Sequence, residues 1–150
     1  MVSAPSVPKL RRASTNDAAA LALLRNQLKD HFFSPIDATP EKTLELLQES
    51  QTYVAEANDI VIGSCAIYNR QDIIAEFGRL MVDAQYQGHG YGKALLEHAM
   101  GQAQQDGILC LRLTAKIRNT AAYRLYRWAG FKAKSVDLCL GTVEMDYWFA

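Results

Sequence analysis

The spacing of apolar residues along the chain predicts four amphipathic helices. Ser14-Thr15-Asn16-Asp17 has the form of a capping box before an apolar series, which predicts a first helix that ends near Asp30. Thr39-Pro40 predicts the start of a second helix, because threonine is a good cap and proline suits the first turn. Two later segments, residues 95–103 and 119–129, repeat apolar side chains with the period that a helix requires.

Runs rich in β-branched and aromatic residues predict seven strands. Asn58-Asp59 separates the second run from the third and is a hairpin signal. Gly130 stands where a left-handed cap would end the fourth helix, and Gly141 separates the last two runs. Without an internal repeat or a linker, the pattern predicts one α/β domain over residues 1–150, with residues 1–8 as a loose terminus. The predicted strands are residues 10–13, 52–57, 60–68, 73–82, 108–114, 131–140 and 142–149.

The composition argues against several classes of protein. Apolar residues make up 49% of the chain and charged residues 21%, which is usual for a folded domain. Sixteen basic residues balance sixteen acidic ones, so no overall field draws the chain to nucleic acid or to an anionic membrane. No apolar run approaches the roughly 20 residues of a membrane span. In the absence of a secretory signal, we predict a cytoplasmic protein whose cysteines, Cys65, Cys110 and Cys139, are buried thiols that bind no metal.

A glycine-rich turn between a strand and a helix is the most informative segment: Gln87-Gly88-His89-Gly90-Tyr91-Gly92. Glycines let the backbone adopt positive φ and approach a ligand closely, and the helix start presents free N–H groups. Such a site suits a phosphate or pyrophosphate, and Lys93 adds a positive charge. The turn fits neither a P-loop, which needs Ser or Thr where Ala94 stands, nor the dinucleotide motif Gly-x-Gly-x-x-Gly. A tight turn without a ligand stays open as the alternative.

Two segments of the chain resemble the GNAT N-acetyltransferase superfamily. The turn matches that family's pyrophosphate loop, Gln/Arg-x-x-Gly-x-Gly/Ala, and Arg79-Leu80-Met81-Val82 is similar to its bulged fourth strand. Asn119-x-x-Ala122-x-x-x-Tyr126-x-x-x-Gly130-Phe131 is similar to the family's pattern after strand five. The resemblance covers nearly the whole chain, residues 10–149. It implies a mixed, mostly antiparallel central sheet of about seven strands, flanked by about four helices.

The resemblance also implies acetyl-CoA as the acyl donor and a set of residues that bind it. Backbone amides of the turn would hold the pyrophosphate, and backbone groups of Met81 and Val82 would pair with the pantetheine arm like an added strand. Asn119 matches an asparagine that hydrogen-bonds the cofactor, and Tyr126 matches a tyrosine that often acts as general acid. The implied cofactor-binding residues are Met81, Val82, Gln87, Gly88, His89, Gly90, Tyr91, Gly92, Lys93, Asn119 and Tyr126.

Attack of an amine on a thioester requires a deprotonated amine, a stabilised oxyanion and a protonated leaving thiolate. The phenol of Tyr126 can supply the last proton, with Tyr123, one helical turn away, as the alternative. For the base we favour Glu76 acting through a water, although a surface or salt-bridged carboxylate stays open there. His31 and His89 are rival bases. No cysteine stands beside an obvious activating base, so we expect no acyl-cysteine.

The acceptor amine is the least determined part of the prediction. In the resembled fold, the acceptor groove is expected between the first helical region and the final β-hairpin. His31, Phe32, Phe33 and Asp37 are the predicted substrate-binding residues on one wall, and residues 137–144 would form the other. Phenylalanines with a few carboxylates suit a small cationic amine, so we predict a small-molecule N-acetyltransferase. A protein or peptide acetyltransferase, and a non-catalytic acyl-CoA-binding regulatory module, stay open as alternatives. The apolar C-terminal run 147–149 leaves open both internal packing and a homodimer.

Overall fold

The structure of the protein is a computed structural model that describes residues 8–28 and 37–150. Its strands are β1 (Lys9–Arg12), β2 (Gln51–Ala57), β3 (Ile60–Gln71), β4 (Ile74–Val82), β5 (Cys110–Lys116), β6 (Lys132–Asp137) and β7 (Thr142–Trp148). They form one sheet in the order β1-β2-β3-β4-β5-β7-β6. β4 and β5 pair in parallel, whereas β1–β2, β5–β7 and β6–β7 are antiparallel. The predicted mixed α/β fold with a seven-stranded sheet is therefore confirmed.

Four α-helices complete the described fold, and the caps that the sequence predicted at Ser14, Thr39 and Gly130 are present. They are α1 (Ala18–Gln27), α2 (Pro40–Glu49), α3 (Tyr91–Gln105) and α4 (Thr120–Ala129). The capping box lies in a short 3-10 turn before α1, where the Ser14 N–H donates to Asp17 Oδ2 at 2.8 Å. Thr39 Oγ1 accepts from the Lys42 N–H at 3.2 Å at the start of α2. Gly130 ends α4 in the left-handed region with a φ of 104°.

Contacts divide the chain into two units, which are described separately. The first contains the described residues up to Ala66, together with Arg79–Ala99. The second contains Ile67–Gly78 and Met100–Ala150. The single domain expected from the sequence stays a prediction. The largest fully buried side chains of the first unit are Val54, Ile62, Cys65, Leu95 and Leu96, and those of the second are Phe77, Ile108, Cys110, Leu111, Phe131 and Met145.

Three details differ from the sequence expectations or lie beyond the description. β6 ends at Asp137, because its Oδ1 accepts a hydrogen bond from the Leu140 N–H at 3.0 Å and so starts the turn before Gly141. Cys139 lies in that turn and is exposed, not buried. The predicted end of α1 near Asp30 lies outside the described residues. Within the described ranges, no helix combines the length and apolar character that crossing a membrane requires.

Candidate active site

The glycine-rich turn has the expected backbone geometry at two of its three glycines. Gly88 has a φ of 83° and Gly90 a φ of 87°. A Cβ at either position would meet no atom within 4 Å, so the space over the turn is open. Glycine is therefore required here by the backbone angle and not by close packing. The expectation of a positive φ is wrong for Gly92, which lies in the first turn of α3 and is not among the residues with positive φ.

The turn leads directly into the N-terminus of α3. The Ala94 N–H donates to the Gly90 carbonyl at 3.0 Å, so the N–H groups of residues 91–93 precede the first intrahelical bond. Free N–H groups and the positive end of a helix dipole are features that suit an anion. His89 and Lys93 are both exposed here, one in the turn and one in the first turn of the helix.

Tyr91 differs from the rest of the turn because its side chain is buried. It is 3% exposed, and its ring meets that of Tyr86 edge-to-face with centroids 5.8 Å apart. Burial raises the pKa of the Tyr91 phenol above its usual value. The buried side chain of Tyr91 therefore anchors the turn by packing against Tyr86.

β4, the strand that precedes the glycine-rich turn, carries a backbone irregularity. Arg79 has a φ of 55°, a left-handed angle that is rare for a non-glycine residue in a strand and typical of a bulge. Across the sheet in β3, a Cβ at Gly63 would stand 2.9 Å from the Met81 carbonyl oxygen, so glycine permits the close approach of the two strands. At the end of β4, Gln87 Nε2 donates to the Val82 carbonyl at 3.0 Å and ties the turn to the strand.

A cavity of about 450 Å³ opens in the first unit beside this part of β4. Arg79 and Met81 of β4 line it, as do Arg25 of α1 and Lys42 of α2. Asp37, the one predicted substrate-binding residue within the described ranges, also lines it. The other three, His31, Phe32 and Phe33, lie outside the described residues.

Asn26 of α1 holds the chain that brings Asp37 to this cavity. Its Nδ2 donates to the Ala38 carbonyl at 2.9 Å, and its Oδ1 accepts from the Ala38 N–H at 2.7 Å. The two bonds reproduce the pairing of a strand neighbour and leave neither amide group of Ala38 unsatisfied. Asn26 thus positions the cavity wall, a role that its place in a helical pattern did not reveal.

Tyr126 and Glu76, the predicted acid and base, belong to the second unit. Tyr126 is 8% exposed, and its ring meets Phe77 and Phe131 edge-to-face at 6.2 and 6.0 Å. Because successive side chains of a strand point to opposite faces, Glu76 lies on the face of β4 opposite to Phe77. The Glu76 carboxylate accepts from Asn69 Nδ2 at 2.6 Å. The structure therefore places Tyr126 and Glu76 on different faces of β4.

Asn119 has a structural role that the sequence analysis did not assign to it. It is the N-cap of α4, and its Oδ1 accepts from the Ala122 N–H at 3.1 Å. A carboxamide has both an acceptor oxygen and a donor nitrogen, so the cap uses one and the nitrogen is the group suited to donate to a ligand.

The buried cysteines are poor nucleophiles. Cys65 lines the cavity, yet burial raises the pKa of its thiol far above the usual range, and its Sγ donates to the Leu95 carbonyl at 3.6 Å. Burial also raises the pKa of the Cys110 thiol. Neutral thiols attack a thioester slowly, which agrees with the expectation that no acyl-cysteine forms.

Sequence reasoning missed three charged or polar residues of the cavity region: Arg25, Asn26 and Lys42. A signal for Arg25 was present, because it stands four residues after Leu21 and three before Leu28 on the apolar face of α1. A cation at such a position is uncommon unless it meets a charged group or a ligand.

Comparison with known proteins identifies the family. The sequence profile of the Acetyltransferase (GNAT) family matches residues 21–131. A ribosomal protein bS18-alanine N-acetyltransferase of Escherichia coli strain K12 is 27% identical over 92 residues, 61% of this chain and 55% of that protein. YhfO, an uncharacterized N-acetyltransferase of Bacillus subtilis, is 29% identical over 142 residues, 87% of this chain and 95% of that protein.

The fold agrees with that comparison. The structure of the PaiA N-acetyltransferase of Thermoplasma acidophilum in complex with coenzyme A matches with a TM-score of 0.83 and 22% identity, over 95% of this chain and 99% of that one. The chain belongs to the GNAT acetyltransferase family. It spans about half the length of the bS18-alanine N-acetyltransferases that it matches.

Proposed function

We propose that the protein is an N-acetyltransferase that transfers the acetyl group of acetyl-CoA to a primary amine of a small molecule. The observation that carries this proposal is the succession of bulge, glycine turn and helix start in β4 and α3. Gly88 and Gly90 have positive φ angles, open space lies over both, and the N–H groups of residues 91–93 precede the first intrahelical bond. A pyrophosphate is the anion that such a cradle suits.

The residues present fit the cofactor. The N–H groups of residues 88–93 would hold the pyrophosphate, and Lys93 would add a positive charge beside it. Met81 and Val82 would offer backbone groups to the pantetheine arm at the point where the bulge at Arg79 disturbs the strand. The Asn119 amide nitrogen would donate to the same arm. Acetyl-CoA supplies an activated acetyl thioester when bound.

The chain's own groups then serve the proton transfers. The phenol of Tyr126 would give a proton to the leaving sulfur, and an N–H of the bulge would stabilise negative charge on the carbonyl oxygen. Glu76 stays the predicted base, acting through a water. Because the Glu76 carboxylate lies on the face of β4 opposite to Phe77 and Tyr126, the base and the acid would act from different sides of this strand. The high pKa of the Cys65 thiol favours direct attack by the amine.

A peptide N-terminus is the second candidate acceptor. Several relatives are named as alanine N-acetyltransferases of ribosomal protein bS18, and an N-terminal alanine is a primary amine on a peptide. The aligned part of those enzymes is about half of their length. A small-molecule acceptor stays the leading proposal because the cavity beside β4 is bounded by α1 and α2 side chains and has the volume of a small-ligand site.

Calorimetric titration with acetyl-CoA tests the proposal. The unsubstituted protein should bind saturably, and Gly90→Asp or Gly92→Asp should abolish binding, because each places a carboxylate at the pyrophosphate. Gly101→Asp is the matched control, since it puts the same charge on an exposed position about three turns further along α3. Failure of the well-folded unsubstituted protein to bind acetyl-CoA would refute the proposal, as would equal loss in all three variants.

A further inference from the structure

The cavity beside β4 carries an excess of positive charge. Among the described residues that line it, Arg25, Lys42 and Arg79 are cationic, and Asp37 is the carboxylate. An arginine side chain stays protonated in proteins and presents donors in a planar fork that matches a carboxylate. Among the described residues, the cavity lining is therefore more positive than the lining expected for a purely cationic acceptor.

Two of these cations are partly withdrawn from water. The Nη1 atoms of Arg25 and Arg79 are both buried. Burial lowers the pKa of Arg25, and the nearby Asp37 carboxylate acts against that shift. Both guanidinium groups line one cavity, and each can form charge-assisted hydrogen bonds with a bound anion.

Arg79 also stands at the point where transfer would occur. It carries the left-handed backbone angle of the bulge, and Met81, two residues later, lines the same cavity. The backbone of Met81 is the group proposed above to pair with the pantetheine arm. An acceptor held by Arg79 would therefore lie beside the acyl end of the cofactor. The remainder of the wall includes the apolar side chains of Leu21 and Leu47.

We propose that the acceptor is an amine that carries a carboxylate, and that the guanidinium groups of Arg25 and Arg79 bind this carboxylate. The proposal rests on the acetyltransferase function proposed above and names the substrate class of that site. Leu21 and Leu47 receive the apolar part of the acceptor. An α-amino acid or a related amino-carboxylic acid has both groups at a separation that a cavity of this size accommodates.

Initial rates of CoA release with a panel of L-amino acids and their C-terminal amides test the proposal. The amide keeps the amine and the side chain, removes the carboxylate, and resembles a peptide N-terminus. We expect kcat/KM to be at least tenfold higher for the best amino acid than for its amide. Arg25→Gln and Arg79→Gln should each raise KM for the acid at least tenfold and change KM for the amide less than threefold. Arg124→Gln, on the exposed face of α4, is the matched control.

Each result has a defined meaning. Calorimetry with acetyl-CoA verifies that every variant is folded, and Arg79→Lys keeps the charge if the Gln variant proves unstable at its strained position. If the amides and the acids have equal kcat/KM, the inference of a carboxylate-binding site is overturned and a peptide acceptor is favoured, while the acetyltransferase function stands. If Arg25→Gln and Arg79→Gln lose activity toward both the acids and the amides, the inference of a carboxylate-binding site is overturned as well. Protein that binds acetyl-CoA and acetylates no amine of either series would overturn the proposed function and this inference together.

Discussion

Alanine at Gly90 should lower the free energy of unfolding, whereas alanine at Gly101 should raise it. Both positions have room for a methyl group, since an added Cβ would meet nothing within 4 Å at either. They differ in backbone angle: Gly90 has a φ of 87°, and Gly101 lies in the body of α3 without a positive φ. The backbone conformation alone should therefore decide the sign of each effect.

The magnitudes follow from that difference. A left-handed L-residue costs about 1–2 kcal/mol, whereas alanine restricts the unfolded chain and stabilises by about 0.4–1 kcal/mol. The net expectation at Gly90 is a loss of about 1 kcal/mol. At Gly101 the substitution adds about 0.8–1.0 kcal/mol of helix propensity. The two variants should thus differ by about 2 kcal/mol, or by about 6 °C in melting temperature for a chain of this length.

Urea unfolding followed by circular dichroism measures both free energies, and unchanged m-values would show that the unfolded states are comparable. Acetyl-CoA titration of the same proteins adds the functional readout, because Gly90→Ala should weaken binding and Gly101→Ala should not. A Gly90→Ala protein as stable as the unsubstituted one would refute the reasoning. So would a Gly101→Ala protein that is less stable.

Three further predictions concern other parts of the molecule. Tyr126→Phe should keep both ring contacts and acetyl-CoA affinity but lower kcat by about 10²–10⁴-fold, the contribution of a general acid, as measured by steady-state kinetics. Asn119→Ala should lower the free energy of unfolding by about 1 kcal/mol through loss of the α4 cap, whereas Asn119→Asp should keep the cap and weaken acetyl-CoA binding, as calorimetry would show. The Arg11 guanidinium, hydrogen-bonded to Asp17 at 2.8 Å, holds the pKa of that carboxyl below its usual value. Its stabilising effect should be complete above about pH 4, the unfolded pKa, and be lost as the pH falls through the lower folded pKa. Asp17→Asn should therefore destabilise most at pH 7 and progressively less as the pH falls below 4 in urea unfolding.

Each of these predictions has a result that would contradict it. Full activity of Tyr126→Phe would exclude Tyr126 as the general acid and leave Tyr123 as the alternative. Equal destabilisation by Asn119→Ala and Asn119→Asp would mean that the cap contributes little. A difference in the free energy of unfolding between Asp17→Asn and the unsubstituted protein that stays constant from pH 7 to pH 2 would show that the contribution of Asp17 to stability does not depend on its charge.

Local chemistry explains why so much of the fold could be predicted. Helix starts follow from short-range hydrogen bonds, and the predicted caps at Ser14 and Thr39 are both present. Gly130 was predicted as a left-handed cap and has a φ of 104°. Errors concentrate where a side chain intervenes in a turn, as at Asp137, whose bond to the Leu140 N–H shortens β6.

In the candidate site, too, the features set by local sequence were predictable and the long-range contacts were not. The glycine turn was predictable, because positive φ is a local property that glycine favours, although Gly92 turned out to serve as an ordinary first-turn residue of α3. The alternation of side chains along β4, which separates Glu76 from Phe77, was equally available from sequence. The contact of Phe77 with Tyr126 was not, because it joins residues distant in the chain.

By itself, the sequence determined most of the elements, the caps at Ser14, Thr39 and Gly130, and the glycine-rich turn, because each depends on residues within a few positions of one another. Only the tertiary structure decided the character of the cavity. Arg25, Lys42 and Arg79 come from three separate elements, and the folding of α1 and α2 beside β4 brings all three side chains to one cavity. Long-range packing sets the distances between such groups, so the sign of the charge that an acceptor meets is a property of the folded chain.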